Sequence, residues 1–124
     1  MSAGLTNLDP PEAAMLALYL GLPETPLRTT PSDRATARLW LQQGLTLDLI
    51  EAALLLGSLR RLFRDPSLPR LAPIRSLAYF RPVVEELQAQ PLPASYLDYL
   101  RLKLRQATSP SRPNAQKTTF SDER

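Results

Sequence analysis

Thirteen of the fifteen cationic side chains are arginine, and arginine is the residue type in this sequence most able to act at a site. Its planar fork of donors grips phosphate or carboxylate at two points, which lysine cannot do. Cysteine and histidine are both absent. Their absence removes thiolate nucleophiles, Ser-His-Asp and Cys-His arrangements, the usual zinc ligand sets and the commonest general base. An enzyme here would have to run on carboxylates, lysine or tyrosine. Glu85 and Glu86 are neighbours on an expected helix, where adjacent side chains diverge by about 100°, and no third ligand stands nearby. They are expected to be solvated charges. The reading is of a protein that is not an enzyme and that uses no metal or cofactor.

The arginines are unevenly placed. Residues 1–58 carry a net charge of −3, residues 59–112 carry +6, and the last twelve residues balance at zero. The candidates for a nucleic-acid footprint are therefore Arg60, Arg61, Arg64, Arg70, Arg75, Arg81, Arg101, Lys103 and Arg105, with Tyr79, Tyr96 or Tyr99 able to stack on an unpaired base. The competing reading makes these ordinary solvated charges at helix ends and in loops. A footprint requires them to cluster in space.

The elements that must position these residues are organised around residues 46–63, TLDLIEAALLLGSLRRLF. Thr46 can cap a helix starting at Leu47, Asp48 and Glu51 suit its positive end, and Arg60, Arg61 and Arg64 its negative end. Apolar residues surround the middle of this helix, so it is expected at the centre of a bundle rather than on its surface. It is too short and too flanked by charge to span a bilayer, which takes about 20 apolar residues. With thirteen prolines, four glycines and a Leu, Ala and Arg bias, the chain reads as all-α. The expectation is one small bundle of five or six short helices joined by proline-rich connectors, over residues 1–107, followed by a disordered tail over 108–124.

In chain order, Asp9 is the expected cap of a first helix, with Pro10 and Pro11 in its first turn and Gly21 as its C′ residue. Thr30, Pro31 and Asp33 form a capping-box start for a second helix, ended by Gly44, with Ala35, Leu39 and Trp40 facing inward. The join at Gly44 and Leu45 invites a helix-turn-helix reading, but Trp40 sits where a small residue belongs. The would-be recognition helix also offers Asp48 and Glu51 to the phosphates. Residues 74–80 form a short helix burying Ile74, Leu77 and Phe80, Pro82 kinks or restarts it, and Pro93 opens a last helix with a Leu97, Leu100, Leu104 stripe. The expected common core is Trp40, Ile50, Leu54, Leu77, Phe80 and Leu100. The opening residues MSAGLTNLDPPE have no basic stretch ahead of an apolar one, so a cytoplasmic protein is expected.

Ile74, Ser76, Leu77, Tyr79, Phe80, Pro82, Glu85 and Glu86, followed by Tyr96, Tyr99 and Leu100, carry a resemblance. Over residues 73–104 the chain resembles the C-terminal helical region of bacterial proteins associated with replication of plasmids, phages and other mobile elements. That resemblance implies a DNA replication or mobile-element setting. Two functions follow as expectations. The first is a nucleic-acid-associated accessory protein without a sequence-specific motif, meeting DNA through an Arg-rich face. The second is a helical protein-interaction module, an adaptor or a homodimer, that buries its apolar helices against another protein or itself.

Overall fold

Two of the helices begin at a threonine whose hydroxyl takes a first-turn N–H. The computed structural model describes residues 10–108, which form five α-helices and one 3₁₀ turn with no strand. Helix α1 spans Pro10–Leu20, its two opening prolines lying where a missing N–H costs nothing. The expected cap Asp9, and the expected tail beyond Thr108, lie outside the described residues. Thr108 itself is the last residue of a helix. Helix α2, Pro31–Gln42, opens with the expected capping box. The Asp33 N–H donates to Thr30 Oγ1 at 3.2 Å, and the Thr30 N–H to Asp33 Oδ2 at 3.0 Å. It closes at Gly44, whose φ of 85° lets the N–H groups of Gly44 and Leu45 reach the carbonyls of Leu41 and Trp40.

Helix α3, Leu47–Leu62, is capped by Thr46 Oγ1, which accepts from the Leu49 N–H at 3.1 Å. A 3₁₀ turn, Leu77–Phe80, runs directly into α4, Arg81–Ala89. Pro82 thus starts a new helix rather than kinking an old one. Helix α5, Ser95–Thr108, begins two residues after Pro93, whose carbonyl accepts the Tyr96 N–H.

Helix α3 is central. Helices α1, α4 and α5 and the 3₁₀ turn all pack on it, while α2 lies chiefly against α1 and the 3₁₀ turn. All six residues expected in the core are buried: Trp40, Ile50, Leu54, Leu77, Phe80 and Leu100. Phe80 packs closely over Gly57, where an added Cβ would lie 2.8 Å from Cδ1 of Phe80. Phe80 is held there by the ring of Tyr19, edge-on at 6.4 Å.

Three expectations change. The short helix expected over residues 74–80 is only the 3₁₀ turn Leu77–Phe80, because Ile74, though buried, spends its N–H on the Glu24 carbonyl and stays in the connector. Ala35 and Leu39 were expected inside, yet both are exposed, Leu39 at 45%, and α2 instead buries Asp33, Thr36, Ala37 and Trp40. Polar groups can lie inward here because their bonds are local: Thr36 Oγ1 donates to the Ser32 carbonyl, and Asp33 takes backbone N–H groups. At the end of α1, Gly21 does not carry a positive φ; Glu24 does, at 65°.

Gly57→Ala should destabilise the fold by about 1–3 kcal/mol, because Phe80 cannot withdraw without losing its own packing. Urea unfolding measures this, and an unchanged midpoint would show that Phe80 is loosely held. Tyr19 tests the opposite kind of change. Its hydroxyl is buried without a hydrogen-bond partner among the described residues, and burial, with the Asp33 carboxylate adding to it, pushes its pKa up to about 12. Tyr19→Phe should therefore be neutral or gain up to about 1 kcal/mol at neutral pH. Since the folded value lies above the ordinary value of 10.0, the parent should lose stability relative to this variant as pH rises from there toward about 12.

Candidate nucleic-acid interface

A guanidinium can hold a phosphate only with donors that the fold has left free, so the hydrogen bonds of the nine candidates decide their role. Arg60 leaves the last turn of α3 and closes a two-point pair on Glu86 of α4, at 2.8 and 2.6 Å. Glu86 is thus paired, whereas it was expected to be merely solvated. Arg101 of α5 does the same with Glu51 of α3, at 2.8 and 2.7 Å, and also reaches Asp98. Arg61 donates to Glu24, to the Ala72 carbonyl and to the Tyr79 hydroxyl, and only 9% of its side chain is exposed. Three candidates are therefore engaged in fixing helices. Arg64 donates to the Pro69 carbonyl, and Lys103 lies 5.9 Å from the centre of the Phe63 ring.

Arg70, Arg75, Arg81 and Arg105 are exposed and make no ion pair among the described residues. Arg28 and Arg34, which belong to the acidic half and were not candidates, make none there either. Two bonds bring these two regions together. The Ile74 N–H donates to the Glu24 carbonyl, and the Leu77 N–H to Asp33 Oδ1, both at 3.0 Å. Residues 74–77 are thereby joined at two points to residues 24–33, a seam whose first segment carries Arg75 and continues to Arg81 and whose second carries Arg28 and continues to Arg34. The carboxylates of the seam are already committed, Glu24 to Arg61 and Asp33 to backbone N–H groups. Nothing in the sequence announces this meeting, because it depends on tertiary hydrogen bonds.

The structure thus divides the nine. Arg60, Arg61 and Arg64 converge at the C-terminal end of α3, where they border one shallow depression together with Tyr79. Arg70 lines a second depression beside it that shares Arg61 and Arg64. Arg75 and Arg81 join the seam, while Arg101, Lys103 and Arg105 lie on α5. Among the described residues there is no cluster of His, Cys, Asp or Glu able to hold a metal ion, and no helix long and apolar enough to cross a membrane.

The Arg60 guanidinium, hydrogen-bonded to Glu86, holds that carboxyl below the usual carboxylate range. A depressed folded value means that the pair stabilises the fold at neutral pH and that its contribution disappears as pH falls through that value. Arg60→Ala should lower the melting temperature slightly at pH 7, as befits an exposed pair, and the difference should vanish in acid. Thermal melts of both proteins at about pH 7 and about pH 2 read this out. No family model, curated protein or solved structure matches the chain.

Proposed function

We propose that this domain is a nucleic-acid-associated accessory module that holds phosphates without reading sequence. The observation that carries the reading is the seam: two hydrogen bonds join the segment that carries Arg28 and Arg34 to the segment that carries Arg75 and Arg81, and the carboxylates of the seam are engaged elsewhere. Unpaired guanidinium groups on a fixed backbone displace counterions from a phosphate chain, and that release supplies affinity independent of base identity. Sequence reading has no comparable support, since Asp48 is the exposed charged residue of the first turn of α3 and would repel phosphates. The resemblance over residues 73–104 suggests the setting, replication of a bacterial plasmid, phage or other mobile element in the cytoplasm, with DNA as the partner.

A second reading is supported by a separate observation. Phe63 is 64% exposed beside Leu62, and Tyr99 and Leu102 on α5 are about half exposed. Such exposed aromatic and leucine side chains, with Lys103 over the Phe63 ring, suit a helical protein-interaction module, an adaptor or a homodimer.

The test is binding of a fluorescent oligonucleotide across a salt series. Affinity should fall steeply with salt and vary little with sequence. Changing Arg28, Arg34, Arg75 and Arg81 together to Ala should weaken every sequence by a similar factor and reduce the log–log salt slope by up to about one unit for each phosphate no longer neutralised. Arg101→Ala serves as the control, lowering the melting temperature while leaving affinity unchanged. No binding at about 50 mM salt, together with a concentration-dependent dimer in sedimentation, would replace this reading with the second one.

A further inference from the structure

Beside the seam, where Arg61 joins Glu24 and Ala72, the end of α3 and the start of α4 border an open depression of about 440 Å³. Its wall is Tyr79, its floor Leu71, Pro82 and Val83, and its rim Arg60 and Arg64. Gly57 also lines the depression, on the α3 side.

Tyr79 is 43% exposed, yet it is not free to swing. Phe80 meets its ring edge-on at 5.2 Å, and its hydroxyl accepts from Arg61 Nη1 at 3.0 Å. The Arg61 guanidinium lies over one face of the ring, 5.3 Å from its centre, and is itself fixed by Glu24 and the Ala72 carbonyl, so a ligand would stack on the other face. A ring held in this way can stack on a ligand without first losing rotamer freedom. On the rim, Arg60 is anchored by two donors to Glu86 and Arg64 by one donor to Pro69, so each keeps donors from its set of five. The three arginines face two paired carboxylates, Glu86 and Glu24, which leaves a single net positive charge. That charge suits the spaced phosphates of a strand beside a flat uncharged ring and suits several anionic groups packed together poorly.

We infer that this depression seats one unpaired base against Tyr79, with its flanking phosphates toward Arg60 and Arg64, so that the domain prefers single strands to duplex. The inference rests on the proposal that the neighbouring seam holds phosphates. Aromatic walls with cationic borders are how single strands are gripped regardless of sequence, because every base has a π face, whereas duplex bases are already stacked on one another. Tyr79 leads directly through Phe80 to Arg81, so a strand leaving the depression meets the seam.

The experiment compares a labelled oligothymidine with a duplex of the same length, using the full chain, Tyr79→Ala and Tyr79→Phe. The single strand should bind more tightly. Tyr79→Ala should weaken it about 5- to 150-fold while leaving the duplex unchanged, and Tyr79→Phe, which keeps the ring, should retain most of the affinity. An oligonucleotide carrying 5-iodouracil should crosslink to Tyr79 on irradiation, a readout that does not depend on the folding of any variant. Equal affinity for single strand and duplex, with no crosslink at Tyr79, would overturn the inference and leave the seam standing. Binding of neither would overturn both.

Discussion

Asp33 is buried, and both of its carboxylate oxygens are taken by backbone N–H groups from different parts of the chain. One bond closes the start of α2; the other reaches forty-four residues ahead to Leu77. A carboxylate removed from water is tolerated only when hydrogen bonds replace its hydration, and the positive end of a helix dipole adds to that compensation. The same side chain that starts α2 therefore sets where the 3₁₀ turn lies, and the 3₁₀ turn in turn fixes Phe80 against Gly57 and the direction in which α4 leaves. It also joins the segment that carries Arg34 to the segment that carries Arg75. The start of α2 and the position of the 3₁₀ turn both depend on this one group.

The other ionic contacts repeat the pattern between helices. Glu12 with Arg38 joins α1 to α2, Arg60 with Glu86 joins α3 to α4, and Glu51 with Arg101 joins α3 to α5. Arg61 with Glu24 ties α3 to the connector after α1. Glu12 and Glu51 are themselves buried, so their partners do more than decorate the surface: losing either arginine would leave a carboxylate in poor surroundings. The acidic first half and basic second half of the sequence are in part a complementary pair. Glu24 with Arg61 and Glu51 with Arg101 each cross from one half to the other, so part of the charge asymmetry serves assembly of the bundle.

What could be read from the sequence was what depends on neighbouring residues. Thr30, Pro31 and Asp33, Thr46, Gly44 and Pro82 act through bonds within about four positions, and the helices they start or stop fall where the residues imply. The encirclement of α3 by apolar residues likewise identified it as central. The phase of α2 was misread because Leu39 is apolar and exposed while Thr36 is polar and buried, and burial there follows local hydrogen bonding rather than hydropathy. The fate of the arginines was not legible at all. Their partners lie 26, 37 and 50 residues away, and no pattern in the chain distinguishes Arg60, which is paired, from Arg75, which has no ion pair among the described residues. Arg28 and Arg34 were missed for the same reason, since they reach the seam only through the bonds of Glu24 and Asp33.

Glu24 adopts a left-handed backbone conformation, φ 65°, that costs a residue with a side chain on the order of 1–2 kcal/mol and that glycine would take without strain. Its carboxylate nevertheless holds Arg61, and its carbonyl receives Ile74. Glycine would relax the turn and keep the carbonyl, but it would release the guanidinium that steadies Tyr79. A surface turn early in the chain thereby sets the rigidity of an aromatic ring more than fifty residues later. The most stable version of this loop and the best-ordered version of that ring require different residues at one position.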